Sequence, residues 1–472
     1  MAIVLGKNCV NEQSSIVPKN LLSPAATVSF ADIAHQTLIF DRRHRAEQLV
    51  LELIDTRWVQ RLRNISQTGN TKYLYMFAEH SRFGHSLGVA YLAILLMRTL
   101  GQRSAPLIEP YQEAVAAAAL LHDIGHVAPG SHLGEKIWSP DRPKQHEGVS
   151  VRVVEEDPEI RAILERYDRA LPRMISNILS LDDSVPPWTK SVISGGGWNA
   201  DRGNWAIVDS AMCCVSYGRY NAAALIDAFR LSAQGELLIQ ESRIDALTHF
   251  FMARDSMYRQ IYQHRVLQTA DAMVRNIVVR LREILLPGRH IAPPERANTN
   301  RKTVREASDK LGIYCDSYMC AAISSNHYGE DLDLETVFHM TESWWQYHID
   351  HWCSCEDSVL SDLSRRLRDR KFLKTIRVEA RSETTLQAFL DEAREYASSL
   401  GFDSRYYVIL IDESDKHRGA KEESPRVLLD SGEVVPATDV EPMIAEIMRR
   451  PPDRRIWLAV PKEVKERLGR AR

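Results

Sequence analysis

The chain has 472 residues, 44% of them hydrophobic, enough for two or three domains with a sizeable buried core, which excludes an intrinsically disordered protein. Its 60 basic and 63 acidic residues leave a formal net charge of -3, so bulk electrostatics give no independent support to nucleic-acid binding.

Residues 1–37 mix Pro, Ser and Asn with short apolar runs, and are expected to form an arm lying on the body or on a neighbouring subunit. They lack the basic start, long apolar centre and small-residue cleavage site of a signal peptide. No apolar run reaches the roughly 18 residues that span a bilayer, so a cytoplasmic protein with no membrane association is expected. From 38 to 370, apolar residues recur with a period of 3.6 in "AEQLVLELIDTRWVQRLRNI", "GVAYLAILLMRTLG", "EAVAAAALLH", "NAAALIDAFRL" and "SMYRQIYQHRVLQTADAMVRNIVVRLREIL", predicting an all-helical core domain. Segments 88–97 and 114–121 are apolar nearly all round, as in helices at the middle of a bundle. From 371 to 472 the β-rich runs "KTIRVEA", "YYVILIDE", "PRVLLDSG" and "RIWLAVP" alternate with two helical stretches. Their βαββαβ order predicts a small ferredoxin-like lobe, with "DKHRGAKEESP" as a charged, mobile loop. The fold class is therefore mainly α, a helical bundle with a small C-terminal α+β lobe. Seven scattered cysteines form no CxxC pair and no zinc-ribbon spacing, and read as reduced structural thiols.

The polar residues at the ends of the two apolar helices carry the chemistry. His85 opens one, in "SRFGHSLGVAYLA", and His122 and Asp123 close the other, in "ALLHDIGH". A buried carboxylate is costly unless paired or coordinated, and an imidazole beside it has two nitrogens to satisfy. One divalent ion offsets both costs, and this mixture of donors suits Fe, Mn, Zn or Ni. An isolated HD dipeptide reads more readily as a helix C-cap with a local hydrogen bond; its place after "AVAAAALL", before a glycine and with an upstream "HSLG" at the head of another apolar helix favours ligation. Three ligands leave the ion short of a protein cage, and a further carboxylate, Asp201 or Asp209, is needed.

The runs "RLRNISQTGNTKYLYMFAEHSRFGHSLGVAYLA", "LLHDIGH", "QHEGVS", "NADRGNWAIVDS", "YGRYNAAALIDAFRL" and "RDSMYRQIYQHRV" resemble, in order and spacing, the HD-domain deoxynucleoside triphosphate triphosphohydrolases. The resemblance covers residues 38–370, and the C-terminal lobe is similar to that of the same group. It implies an HD-domain bundle and a fourth metal ligand at Asp201, completing His85, His122, Asp123 and Asp201 around one divalent ion. The ion is Fe, Mn, Zn, Ni or Mg, with a further Mg arriving on the triphosphate. It also implies phosphate contacts from Arg82, Arg202 and Arg254, an aromatic wall against the deoxyribose from Tyr262, and sugar contacts from Gln67, Trp205 and Asp209. Histidines matching His126, His132 and His146 contact phosphates or serve in catalysis, with Glu147 supporting His146. From chemistry alone, a histidine titrating near neutrality is the natural proton donor to a leaving 5′-oxygen.

The expected activity is hydrolysis of deoxynucleoside triphosphates to deoxynucleoside and inorganic triphosphate, in nucleotide-pool housekeeping or in antiviral depletion of dNTPs. Homo-oligomers and an activating guanine nucleotide are implied, the latter at Asp55, Gln60 and Arg63, which read equally as a salt-bridged helical face. The chain departs from the pattern at Asn199 and Asn204, each replacing an acid, at Trp205 for tyrosine, at Val208 for arginine and at Thr68 for leucine. These sugar-side changes leave two alternatives: a phosphohydrolase acting on another nucleotide, and a nucleotide-sensing or partner-binding subunit that keeps the metal fold without turnover.

Overall fold

The two segments that are apolar on every side lie at the centre of a helical body. The computed structural model describes residues 26–142, 144–195, 197–286, 301–379, 382–412, 423–450 and 455–470. Its helices begin with α1 (Arg45–Ile54), α2 (Arg57–Arg61), α3 (Arg82–Ile108), α4 (Gln112–Leu121), α5 (Leu133–Trp138) and α6 (Gln145–Glu156). They continue with α7 (Pro158–Tyr167), α8 (Leu171–Leu179), α9 (Pro187–Ser191), α10 (Ala200–Met212), α11 (Ala222–Ala228), α12 (Ile244–Met257) and α13 (Arg265–Leu285). The alanines of α4 make it thin enough for α1, α3 and α8 to pack against it together, and Ala114–Leu121 are all buried. α3 bends at Ser104, whose φ of -139° and ψ of 36° are non-helical, two residues before Pro106, whose ring cannot follow a regular turn. Contrary to the expectation from sequence, a window within Arg82–Leu121 is long and apolar enough to cross a membrane; 72% of it is buried inside the body, the setting of a core helix.

Before the bundle, β1 (Thr27–Asp32) and β2 (Gln36–Asp41) form an antiparallel hairpin with Asp32 opposite Gln36. The hairpin takes residues 27–37 from the expected arm and 38–41 from the expected helical core, where Leu38 and Phe40 are buried and the second strand packs on α3. Residues 1–25 of the expected arm lie outside the described residues.

Two stretches read as continuous helix are interrupted. "NAAALIDAFRL" leaves the helix after Ala228 and enters β3 (Phe229–Leu231), which pairs with β4 (Leu237–Gln240). "SMYRQIYQHRV" passes through a π-helical turn at Tyr258–Tyr262, breaks at Gln263, and restarts as α13 with His264 accepting from the Val266 N–H. π-helical turns widen the backbone locally and cluster at functional sites.

The C-terminal strands are β5 (Lys374–Val378), β6 (Ile409–Asp412), β7 (Arg426–Leu428), β8 (Val434–Pro436) and β9 (Ile456–Val460). The alternation of strands and helices is as expected, but the sheet is divided. β5, β9 and β6 form one antiparallel sheet in that order, while β7 and β8 join β3 and β4 in a second, with β4 parallel to β7. The strand in "PRVLLDSG" therefore belongs to the helical body rather than to a single ferredoxin-like layer. Most of the charged loop "DKHRGAKEESP" lies outside the described residues. Among the described residues the six cysteines are free, consistent with reduced thiols.

One buried cation ties the body together. Arg61 of α2 is 5% exposed and donates to the carbonyls of Phe338 (2.7 Å), His126 (2.8 Å), Val337 (2.8 Å), Ile124 (3.3 Å) and Met340 (3.3 Å). Burial lowers its pKa to about 9, which leaves it charged at neutral pH. Arg61→Met strips these carbonyls of their donor and is expected to cost at least about 3 kcal/mol, since a single hydrogen bond to a charged group is worth about 1.5–3 kcal/mol. Urea unfolding checks this, and an unchanged midpoint would refute it.

Candidate active site

The HD turn follows from the end of α4. His122 is its C-cap, and its Nδ1 lies 2.9 Å from the Ala119 carbonyl, which can only accept. Nδ1 therefore carries the ring proton and Nε2 presents its lone pair outward. Ser150 of α6 pins the turn, donating to the His122 carbonyl (2.8 Å) and accepting from the Gly125 N–H (3.1 Å). A Cβ at residue 125 would lie 2.2 Å from the His146 carbonyl oxygen, so only glycine lets the turn close against α6.

Four acid and imidazole groups converge there. His85 Nε2 lies 3.1 Å from Asp201 Oδ1 and 3.6 Å from Asp123 Oδ2. His122 Nε2 lies 3.3 Å from Asp123 Oδ1 and 3.9 Å from Asp201 Oδ1. Both Nε2 atoms are buried and face anionic oxygens, and together with Asp201 they lie close enough to hold a divalent ion, Asp123 standing beside them. Burial opposes the charge on Asp123, but Arg82, His122 and His126 hold its carboxyl well below the usual range. Asp201 is also held low, chiefly by His85 against the penalty of burial. Arg82, expected at a phosphate, is ion-paired with Asp123 through Nη1 and still borders the cavity.

Beside this cluster stand three more imidazoles. His126 and His146 stack with centroids 3.9 Å apart, and His132 lies 5.6 and 5.9 Å from them. The acid that serves His146 is not Glu147, as expected, but Glu135 of α5. Glu135 accepts from His146 Nδ1 (2.5 Å) and from the His146 backbone N–H (3.0 Å), and its other oxygen lies 3.3 Å from His132 Nδ1. Glu147 borders the cavity too, but it accepts from the Lys144 ammonium (3.1 Å) rather than from His146. Burial favours the neutral form of His146, but the Glu135 carboxylate overrides it and raises the pKa. Burial and the charges of Arg82 and His146 depress His126 well below the usual value. The stacked pair thus combines a ring pushed toward its neutral form with one held toward its charged form.

A cavity of about 600 Å³ runs from these histidines to an aromatic end. It is bordered by Gln67, Arg82, Arg202, Trp205, Asp209, Arg254 and Tyr262, with Lys136 and Lys144 adding positive charge at the histidine end. Asp209 is held from two sides, by Tyr262 Oη (2.5 Å) and His80 Nε2 (2.9 Å). Trp205 packs edge-on against Tyr262 (5.6 Å) and Tyr258 (5.8 Å), both delivered by the π-helical turn. Gln67 Oε1 is buried and without a partner. Arg202 reaches the Gly197 carbonyl (3.2 Å), and Arg254 lies over the Tyr258 ring.

Asp55, Gln60 and Arg63 do not border this cavity. Asp55 is exposed at the end of α1, Gln60 donates to the Ile54 carbonyl (2.8 Å), and Arg63 donates to Gln60 (2.9 Å) while lying 3.6 Å from the Phe83 ring centre. Sequence reasoning missed Glu135, His80 and the pair Asn70–Asp271, whose side chains bond at 2.7 Å on the cavity wall. Only Glu135 carried a signal, since it stands three residues after His132, within one turn.

The family model of the HD domain matches residues 82–177. The protein YwfO of Bacillus subtilis is 28% identical over 79% of this chain and 77% of its own length. The deoxynucleoside triphosphate triphosphohydrolase SAMHD1 of zebrafish (Danio rerio) is 28% identical over 48% of this chain, and the human SAMHD1 is 29% identical over 49%. The matched region spans 41% and 42% of those two relatives. Among solved structures, a phosphohydrolase from Bacteroides thetaiotaomicron superposes with a TM-score of 0.74 at 20% identity, covering 92% of this chain and 100% of that one. A hypothetical protein from Aquifex aeolicus gives 0.64 at 21% identity, with 93% and 98% covered. The fold is thus shared with these chains across the HD domain and beyond it.

Proposed function

We propose that this chain, which carries an HD domain, is a metal-dependent phosphohydrolase that converts deoxynucleoside triphosphates to the deoxynucleoside and inorganic triphosphate. The observation that carries the reading is the convergence of the buried Nε2 atoms of His85 and His122 on Asp201 Oδ1, at 3.1 and 3.9 Å, beside a cavity lined by basic residues. His85, His122, Asp123 and Asp201 would hold one divalent ion, which would supply a Lewis acid for the phosphate and lower the pKa of a bound water. The similarity to SAMHD1 proteins supports the substrate class.

The chain's own residues take the remaining tasks. Arg202, Arg254, Lys136 and Lys144 offset the charge of a polyphosphate, and Arg82 exchanges Asp123 for a phosphate oxygen. At the far end, Asp209 and Gln67 offer acceptors to a sugar hydroxyl, and the rings of Trp205 and Tyr262 wall the sugar. Water adds at the α-phosphorus, the bond to the 5′-oxygen breaks, and the leaving oxygen takes a proton. His146, held toward its charged form by Glu135, is the donor, and His126 beside it, pushed toward its neutral form, accepts hydrogen bonds from the attacking side.

Incubation of the purified chain with each dNTP and rNTP under Mn, Mg and Fe, followed by chromatography, tests the reading. Tripolyphosphate and deoxynucleoside in equal amounts are expected, with dNTPs favoured over rNTPs. Monophosphate with pyrophosphate, or no turnover across the metal screen, would reject it. Tight dNTP binding without turnover would favour the sensing subunit suggested by Asn199, Asn204, Trp205 and Val208.

A further inference from the structure

The N-terminal hairpin reaches the His85 side of the candidate cation site through one amide. At its tip the Asp32 carboxylate accepts from the backbone N–H groups of Ala34 (2.8 Å) and His35 (2.7 Å), which fixes the turn, and the His35 ring rests against Tyr91 of α3. His35 Nε2 lies 3.1 Å from Asn204 Oδ1. The same amide places Nδ2 3.1 Å from His85 Nδ1 and 3.1 Å from the His85 carbonyl oxygen. Asn204 is fully buried where α10 crosses α3, and it fits only because residue 88 has no side chain. A Cβ there would lie 2.3 Å from Asn204 Oδ1 and 2.8 Å from Nδ2.

We propose that His35 and Asn204 are positioning residues for His85, so that the hairpin tip sets how well His85 Nε2 serves a divalent cation. The proposal rests on the metal-centre reading above. Its logic is that of donors and acceptors. Asn204 Oδ1 can only accept, so His35 donates from Nε2; Asn204 Nδ2 can only donate, so His85 Nδ1 accepts and the ring proton sits on Nε2. That proton faces Asp201 and occupies the atom a cation needs. To ligate through Nε2, His85 must carry its proton on Nδ1 and donate it, which requires the amide to turn over. Asn204 Nδ2 then donates to His35 Nε2, and His35 moves its own proton to Nδ1. The three side chains exchange roles together. The turned amide also brings its oxygen against the His85 carbonyl, so asparagine resists the exchange. A carboxylate at position 204 accepts from both rings and has no amide to turn.

The test is cation affinity of the full-length chain for Mn²⁺ and Zn²⁺, measured by calorimetry and chelator competition, with metal-free thermal unfolding to show that each variant is folded. Asn204→Asp is expected to bind at least about tenfold more tightly than the wild type, the range for gaining a partner that fixes the ligating tautomer, and Asn204→Ala, which removes the amide that holds the ring proton on Nε2 but supplies no acceptor for Nδ1, to fall between the two. His35→Ala is expected to weaken binding at least about fivefold and His35→Gln to restore most of it, because an amide can donate or accept. A purely structural role would lower the metal-free thermal midpoint and leave the affinity of folded chain unchanged. Wild-type affinity in both alanine variants would overturn the positioning role alone. Absence of cation binding by the wild type would overturn the metal-centre reading together with it.

Discussion

Asp201→Ala is expected to reduce dNTP hydrolysis by more than about a thousandfold, roughly 4 kcal/mol of transition-state stabilisation, while the protein stays folded. Asp201 is the carboxylate nearest His85 Nε2, and it also faces His122, so its removal opens the cation cage on one side. Its side chain is 33% exposed, so truncation neither opens a core cavity nor strands a buried charge. Asp123→Ala would give a less readable result. Asp123 and Arg82 are ion-paired with side chains 6% exposed each, and removing the acid leaves a buried guanidinium unpaired, at a cost of about 3–5 kcal/mol. The measurement pairs product release with metal content and a thermal midpoint. Retention of more than a tenth of the activity, or of a full complement of metal, would remove Asp201 from the site.

Glu135→Gln is expected to lower kcat by about 10²–10⁴-fold and to move the alkaline limb of the pH–rate profile to lower pH. Burial by itself would drive the His146 ring neutral; the Glu135 carboxylate reverses this and holds its pKa above the ordinary 6.5. An amide at 135 keeps a hydrogen-bond acceptor but loses the charge, so the protonated donor disappears at a lower pH. Stability follows the same sign. A histidine whose pKa is raised on folding contributes stability that is full below pH 6.5 and is lost as pH rises through the raised value. Glu135 itself is held far below its ordinary 4.5 by His146 and His132 against the penalty of burial, so its contribution is present above that value and is lost only in strong acid. The variant's stability should therefore vary less between neutral and mildly alkaline pH. Glu147→Gln, whose carboxylate borders the cavity but is bonded to Lys144 and adds less to the His146 charge than Glu135 does, is expected to move the limb in the same direction by less. An unmoved alkaline limb in Glu135→Gln, or a larger shift in Glu147→Gln than in Glu135→Gln, would return the supporting role to Glu147.

The helical body was legible because its signal is repeated many times. Leu87–Met97 and Ala114–Leu121 are buried on nearly every side, and no arrangement but the middle of a bundle accommodates them. The HD turn was legible because His122 and Asp123 are costly where they stand. Short strands were not. β3 and β4 have three and four residues, and their place depends on β7, nearly two hundred positions further on, which no local pattern encodes. The π-helical turn at Tyr258–Tyr262 preserves apolar spacing well enough to pass for helix. Among the histidine supports, adjacency favoured Glu147, whereas the fold of α5 against α6 brings Glu135 to His146 instead. His80 and the Asn70–Asp271 pair were invisible because His80 and Asn70 come from non-periodic segments and their partners are assigned by tertiary packing.

The pairing of β4 with β7 means that the C-terminal hundred residues act as a seam closing the body, and not as an appendage. Leu238, Ile239 and Gln240 find their ladder partners in Arg426, Val427 and Leu428. A polypeptide stopped at residue 370 would bare that edge, next to apolar side chains, as a template on which further copies stack. Shortened versions of this protein should therefore self-associate, and the two halves of the full-length molecule should melt in a single cooperative event.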